Sequence, residues 1–154
     1  MGENKLQATV NIRNKKAKFE YAIVETYVCG IALKGTEIKS IRQSKASIME
    51  GYCGFDGDEL YVRNIHITEY EKASFVNHEP TRPRKLLLNR SELDKIHKQV
   101  KVKGVTIVPL RLFINDKGLA KLEIGVATGK KLVDKREDLK AKDAKRDMDR
   151  AMKR

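Results

Sequence analysis

Lysine and arginine side chains gather at four places along the chain, and the chemistry open to them is neutralisation of phosphate. Arg13, Lys15, Lys16 and Lys18 form one group, Arg82, Arg84 and Lys85 a second, Lys98 through Lys103 a third, and residues from 129 onward a fourth. One such cluster is ordinarily a solvated face, but on a small fold four can converge on one phosphate-bearing partner. The whole sequence sets 33 basic side chains against 21 acidic ones, a formal net charge of +12 with pI near 9.7, and so attracts polyanions at long range.

Catalytic patterns are missing. There is no HExxH, no GxSxG and no metal-spaced Cys/His set, so no metal or cofactor is expected and binding is the better reading. Gly125 to Lys131 has only three residues between its glycines where a phosphate-binding loop needs four, and Lys131 stands where the magnesium-binding Ser/Thr must be. His66, His78 and His97 are scattered, with no nucleophile at a useful spacing. Cys29 and Cys53 sit in strand-like surroundings and read as reduced core thiols. Aromatic residues are sparse and Trp is absent, so stacking of splayed bases is poorly supplied and shape recognition of folded RNA fits better. No apolar run approaches the roughly 18 residues of a spanning helix, and no secretory or lipidation signal opens the chain, which points to the cytoplasm and away from membranes.

The elements that must position these side chains follow from periodicity. Phe19, Tyr21 and Ile23 share one face of a strand, which resumes as Ile31-Ala32-Leu33 after Gly30. A short helix is expected from Thr36 to about Ala46, then strands over 47–52 and 59–67 joined by residues 54–58. Residues 69–84 read as loop. Asn89 with Glu92 matches a capping box, and Leu93, Ile96 and Val100 continue a helix until Gly104. A long hairpin closes the domain: Val108, Leu110, Leu112 and Ile114 alternate, Asn115 to Gly118 turn, and Ala120, Leu122, Ile124 and Val126 alternate back, with Pro109 required at an edge or bulge. The chain is therefore expected to be mainly β, a small antiparallel six-stranded barrel of the oligonucleotide-binding (OB) type over residues 1–128 with two to three short helices.

Residues 129–154 form a separate basic tail with eleven Lys/Arg against six Asp/Glu, too polar to build a core of its own. Ala141, Ala144, Met148, Ala151 and Met152 nevertheless recur on one helical face, so the tail is expected to be disordered when free and helical when bound. A solvated terminus without a partner has the same composition.

Asn14-Lys15-Lys16-Ala17 leading into Tyr21, Gly35 to Arg42 (GTEIKSIR), Arg82 to Asn89 (RPRKLLLN), and Gly125 to Lys131 followed by Asp134-Lys135-Arg136 resemble, in order, the SsrA-binding protein (small protein B, SmpB) family of bacterial trans-translation. The resemblance spans nearly the whole chain. It implies a non-enzymatic protein that binds the tRNA-like domain of transfer-messenger RNA (tmRNA). Such a protein supports charging by alanyl-tRNA synthetase and delivery with elongation factor Tu, and enters stalled ribosomes. The barrel would replace the missing anticodon arm, and the tail would probe the decoding centre and the empty mRNA channel. On motif and charge, the expected RNA-facing set is Arg13, Asn14, Lys15, Lys16, Lys18, Glu37, Lys39, Arg42, Arg82, Arg84, Lys85, Leu87 and Asn89. The expected ribosome-facing set is Lys130, Lys131, Asp134, Lys135, Arg136, Lys140, Lys142, Lys145, Arg146 and Arg150. One departure is Val28-Cys29, where many members carry Glu-Ala, which leaves the acidic role to a neighbour such as Glu25 or Glu37. Composition alone would equally suit a structural ribosomal or initiation-factor-like barrel, or an RNA-modifying enzyme with an unrecognised site.

Overall fold

The computed structural model describes residues 10–73 and 76–129. The tail from Lys130 onward, with its expected helix, lies outside them. The described strands, in chain order, are β1 (Asn11–Arg13), β2 (Tyr21–Ile31), β3 (Ala46–Ser47), β4 (Tyr52–Asp56), β5 (Glu59–Arg63), β6 (His66–Ile67), β7 (Arg84–Leu87), β8 (Val105–Ile114) and β9 (Ala120–Gly129). The helices are α1 (Ala17–Glu20), α2 (Gly35–Arg42) and α3 (Arg90–Val100). Six strands close into a ring in the order β8, β4, β5, β7, β2, β9 and back to β8, every pair antiparallel, while β1 adds to β8 beside β4. Inside lie Cys29, Leu60, Val62, Leu86, Leu112, Leu122 and Ile124, with Ile41 and Ile96 packed in from the helices. Both cysteines are free and buried.

The ring has the expected six strands, but two members differ: β4 (Tyr52–Asp56) stands in for the strand expected over 47–52, and β7 for the one expected at Ile31-Ala32-Leu33. Ile31 simply ends β2, and the sixth strand is β7, in a stretch that reads as loop until Arg84 and then as an unalternating Lys-Leu-Leu-Leu run. Its inward positions are Arg84 and Leu86, and a buried arginine hides the period-two signal. Phe19 belongs to α1 rather than to the strand, because Asn14 Oδ1 accepts the Ala17 N–H (3.3 Å) and starts a helical turn. Helix α2 stops four residues before the expected end. Ser44 adopts φ 58°, its N–H donates to Ile41 O (2.8 Å) and the Lys45 N–H to Ser40 O (3.0 Å), a complete C-terminal cap with serine where glycine is usual.

The β4–β5 hairpin is tighter than expected. Asp56 pairs with Glu59 across Gly57-Asp58, and Gly57 takes φ +62° at the first turn position. The expected single strand over 59–67 breaks at Asn64, which has φ 62° and donates Nδ2 to Glu50 O (3.0 Å). Of residues 47–52, only Ser47, which ends β3, and Tyr52, which opens β4, are strand, with a turn between them.

Pro109 does sit at a bulge, where the β8–β9 register shifts between Pro109 and Arg111. The shift changes which face each side chain takes. Leu112 and Ile114 point into the main core, whereas Val108 and Leu110 join Ala17, Tyr21, Ile23 and Ala127 in a second, smaller cluster. Asn14 fastens this corner: Nδ2 donates to Pro109 O (2.9 Å) and its backbone N–H to Leu110 O (2.9 Å).

Helix α3 keeps its predicted start, with the Asn89 N–H donating to Glu92 Oε1 (3.4 Å). Its far end is tied to β2: Tyr27 Oη donates to Gln99 Oε1 (3.1 Å), Gln99 Nε2 to Glu25 Oε2 (2.9 Å), and Lys95 Nζ to Glu25 Oε1 (2.7 Å). Asn89→Ala should lower stability by about 1 kcal/mol as a lost N-cap, read by urea unfolding, and weaken RNA binding as well. A stability loss with full RNA affinity would leave Asn89 only its capping role.

Candidate nucleic-acid interface

The first two basic groups do not contribute in the same way. At the first corner, Asn14 is 8% exposed and spends both ends of its amide inside the protein, so it positions the loop. Arg13, Lys15, Lys16 and Lys18 are exposed around it, Lys16 reaching Glu50 at 3.1 Å. Such an exposed pair is weak enough for a phosphate to displace.

The expected residues Glu37, Arg82 and Arg84 come together, but inward. Glu37 and Arg84 are fully buried, and Arg82 is partly so. Glu37 Oε1 accepts the Lys34 N–H (2.8 Å) at the start of α2, Arg82 Nε lies 3.1 Å from both carboxylate oxygens, and Arg84 Nε donates to Oε2. Arg84 also donates to Ile65 O (3.2 Å), Glu79 O (3.3 Å) and Pro80 O (3.1 Å). Burial alone would raise the pKa of Glu37, yet the Arg82 and Arg84 guanidiniums and the Lys34 amide outweigh it and hold the carboxyl below its usual range. For Arg84 burial outweighs the pull of Glu37 and, with the nearby Arg82 charge, lowers its pKa; an arginine stays charged regardless. Glu37 and Arg84 thus brace the chain entering β7 and are shut off from phosphate. Behind them His78, 2% exposed, spans α2 and β6, with Nδ1 2.9 Å from Thr36 Oγ1 and Nε2 2.8 Å from Ile67 O.

The braced strand presents Lys85, Leu87 and Asn89 outward. Lys85 pairs with Glu59 at 2.9 Å, and Leu87 is 52% exposed, unusual for a leucine within a strand. Leu87 lies directly over Gly30: a Cβ there would come within 3.2 Å of Leu87 Cβ. On α2, Lys39 and Arg42 are exposed, with Lys39 Nζ 5.4 Å from the Tyr70 ring centroid.

Ladder register extends this surface. Leu87 faces Gly30, Gly30 faces Lys121, Lys121 faces Phe113 and Phe113 faces Asn11, one outer row crossing β7, β2, β9, β8 and β1. The parallel row runs Val28, Glu123, Arg111, Arg13. Lys121, Phe113 and Arg111 escaped the sequence reading because the hairpin was read for its apolar positions; the signal was the intervening outward residues. Neither neighbour proposed to supply the acid missing at position 28 is free to do so, since Glu37 is buried and Glu25 is held by Lys95 and Gln99. Glu123 stands directly opposite Val28. Gly125 to Gly129 is strand, not a phosphate loop. Among the described residues no cluster of three or more His, Cys, Asp or Glu could hold a metal, and no helix is long and apolar enough to cross a membrane.

A family model described as SmpB protein matches residues 11–154. The chain belongs to the SmpB family. An SsrA-binding protein of Cytophaga hutchinsonii is 55% identical over 150 residues, covering 97% of this chain and 98% of that protein. Its counterpart in Flavobacterium johnsoniae is 57% identical over 145 residues, covering 94% and 96%, and that of Moorella thermoacetica 44% over 146, covering 95% and 94%. A solved chain described as "tmRNA-SmpB: a journey to the center of the bacterial ribosome" superposes with a TM-score of 0.68 at 44% identity, covering 80% of this chain and 87% of that one. An SmpB-family assignment accords with the outer face of the ring, which is built from strands and carries Arg13, Arg111 and Lys121.

Proposed function

We propose that this chain binds the tRNA-like domain of tmRNA and takes it to stalled ribosomes in the cytoplasm for trans-translation. The observation that carries this reading is the continuous outer face from Arg13 to Leu87, held rigid by the ring and by the Glu37 brace. A rigid, basic face built from strands suits the backbone and shape of a folded RNA rather than the bases of a single strand. On this reading the family's partner proteins, alanyl-tRNA synthetase and elongation factor Tu, act on the RNA that the chain carries. Residues 129–154, with Lys130, Lys131, Asp134, Lys135 and Arg136 at their start, serve the decoding centre and the empty mRNA channel.

Sequencing the RNA that co-purifies with the protein tests this directly: one RNA species of a few hundred nucleotides supports it, and stoichiometric presence in all ribosomes would favour a structural ribosomal protein instead. Affinity for that RNA should fall steeply with salt. Neutralising Arg13, Lys15 and Lys16 together should lower the slope of log affinity against log salt by about 2–3, since each phosphate contact releases counterions. An unchanged slope would remove this corner from the interface.

A further inference from the structure

Arg13 and Arg111 are direct cross-strand partners on the outer face of β1 and β8, and like charges placed opposite one another on one face destabilise a sheet. Their surroundings do not cancel the repulsion. Glu123, across from Arg111 on β9, offers one carboxylate to two guanidiniums, and Lys121 adds a further positive charge one row away. Glu123 does not saturate even Arg111. Arg111 Nε lies 3.2 Å from Glu123 Oε2 but makes no hydrogen bond, although it is buried. Meanwhile the Arg111 guanidinium lies 4.1 Å from the centroid of the Phe113 ring, which fixes its plane. The Arg111 side chain as a whole is 35% exposed, and Arg13 is exposed.

We propose that Arg13 and Arg111 together hold one backbone phosphate of the bound RNA, with Phe113 as the residue that positions Arg111. A phosphodiester has two free oxygens that accept from two guanidiniums at once, turning the repulsive pair into a clamp. The inference rests on the tmRNA reading but adds a site on β8, which that reading does not assign.

The test measures binding of the tRNA-like domain of tmRNA to full-length Arg13→Gln, Arg111→Gln, the double variant and Phe113→Leu, across a salt series, beside thermal melts of each. Arg111→Gln should melt with wild type, bind about tenfold more weakly at low salt, and reduce the salt slope by about 1. The double variant should lose less than the sum of the singles, because both serve one phosphate. Phe113→Leu should weaken binding while leaving the slope alone. Arg111→Gln with unchanged affinity and slope, or strictly additive losses in the double variant, would overturn the clamp. If wild type itself fails to bind this RNA, the tmRNA reading falls instead, and the same variants measured on bulk tRNA then decide the clamp by the same outcomes.

Discussion

Glu37→Gln should destabilise the fold by about 3–5 kcal/mol, because it leaves the buried Arg84 guanidinium without its counter-charge. Both side chains are fully buried and Arg84 already uses three backbone carbonyls, so its charge has no carboxylate besides Glu37 among its hydrogen-bond partners. Urea unfolding reads the loss, and a change below about 1 kcal/mol would sink the assignment. The same carboxylate sets an acid limit. Its folded pKa lies below its ordinary value of 4.5, so its contribution is complete above that value and is lost as pH falls through the folded pKa. Wild type should therefore lose stability below about pH 4.5, and Glu37→Gln should lack that part of the acid slope. Since the brace anchors the chain entering β7, the variant should also disturb the outward presentation of Leu87 and Asn89.

Ending the chain at Val133 should leave binding of the tRNA-like domain intact and abolish peptide tagging on stalled ribosomes. Every strand of the ring is in place by Gly129, where β9 ends, so the shortened chain should still close the ring. Within the tail, Ala144→Pro changes no charge but costs a helix interior about 3 kcal/mol, and it should lose tagging while keeping RNA affinity. Lys142→Arg should be nearly silent. Normal tagging by Ala144→Pro would mean that the tail works as an unstructured polycation.

What could be read in advance divides along physical lines. Local signals survived: the Asn89-Glu92 cap, the Asp56-Gly57 turn and the alternation of β9 all depend on residues close in sequence. Features decided by distant partners did not. Arg84 is an inward strand residue only because Glu37, 47 positions away, neutralises it. The bulge at Pro109 turns Val108 and Leu110 out of the main core, although the alternation placed them with Leu112. At the candidate interface, Leu87 was legible through family resemblance but not from hydrophobicity, which assigns a leucine inward. Arg111 and Phe113 were legible from neither, since their significance lies in their register with Arg13.

Ring closure also governs when the interface comes into being. The ladder that completes the circle joins Tyr21 to Gly129, partners 108 positions apart, and such distant pairings form slowly because chain entropy must be overcome before any ladder bond repays it. The outer rows cross β1, β8, β9, β2 and β7; their β8–β9 part lies within one hairpin, but the rows become continuous only when the β2–β9 seam shuts. A chain with that seam still open carries every positive charge of the finished protein but lacks the spacing between those on the two sides of the seam.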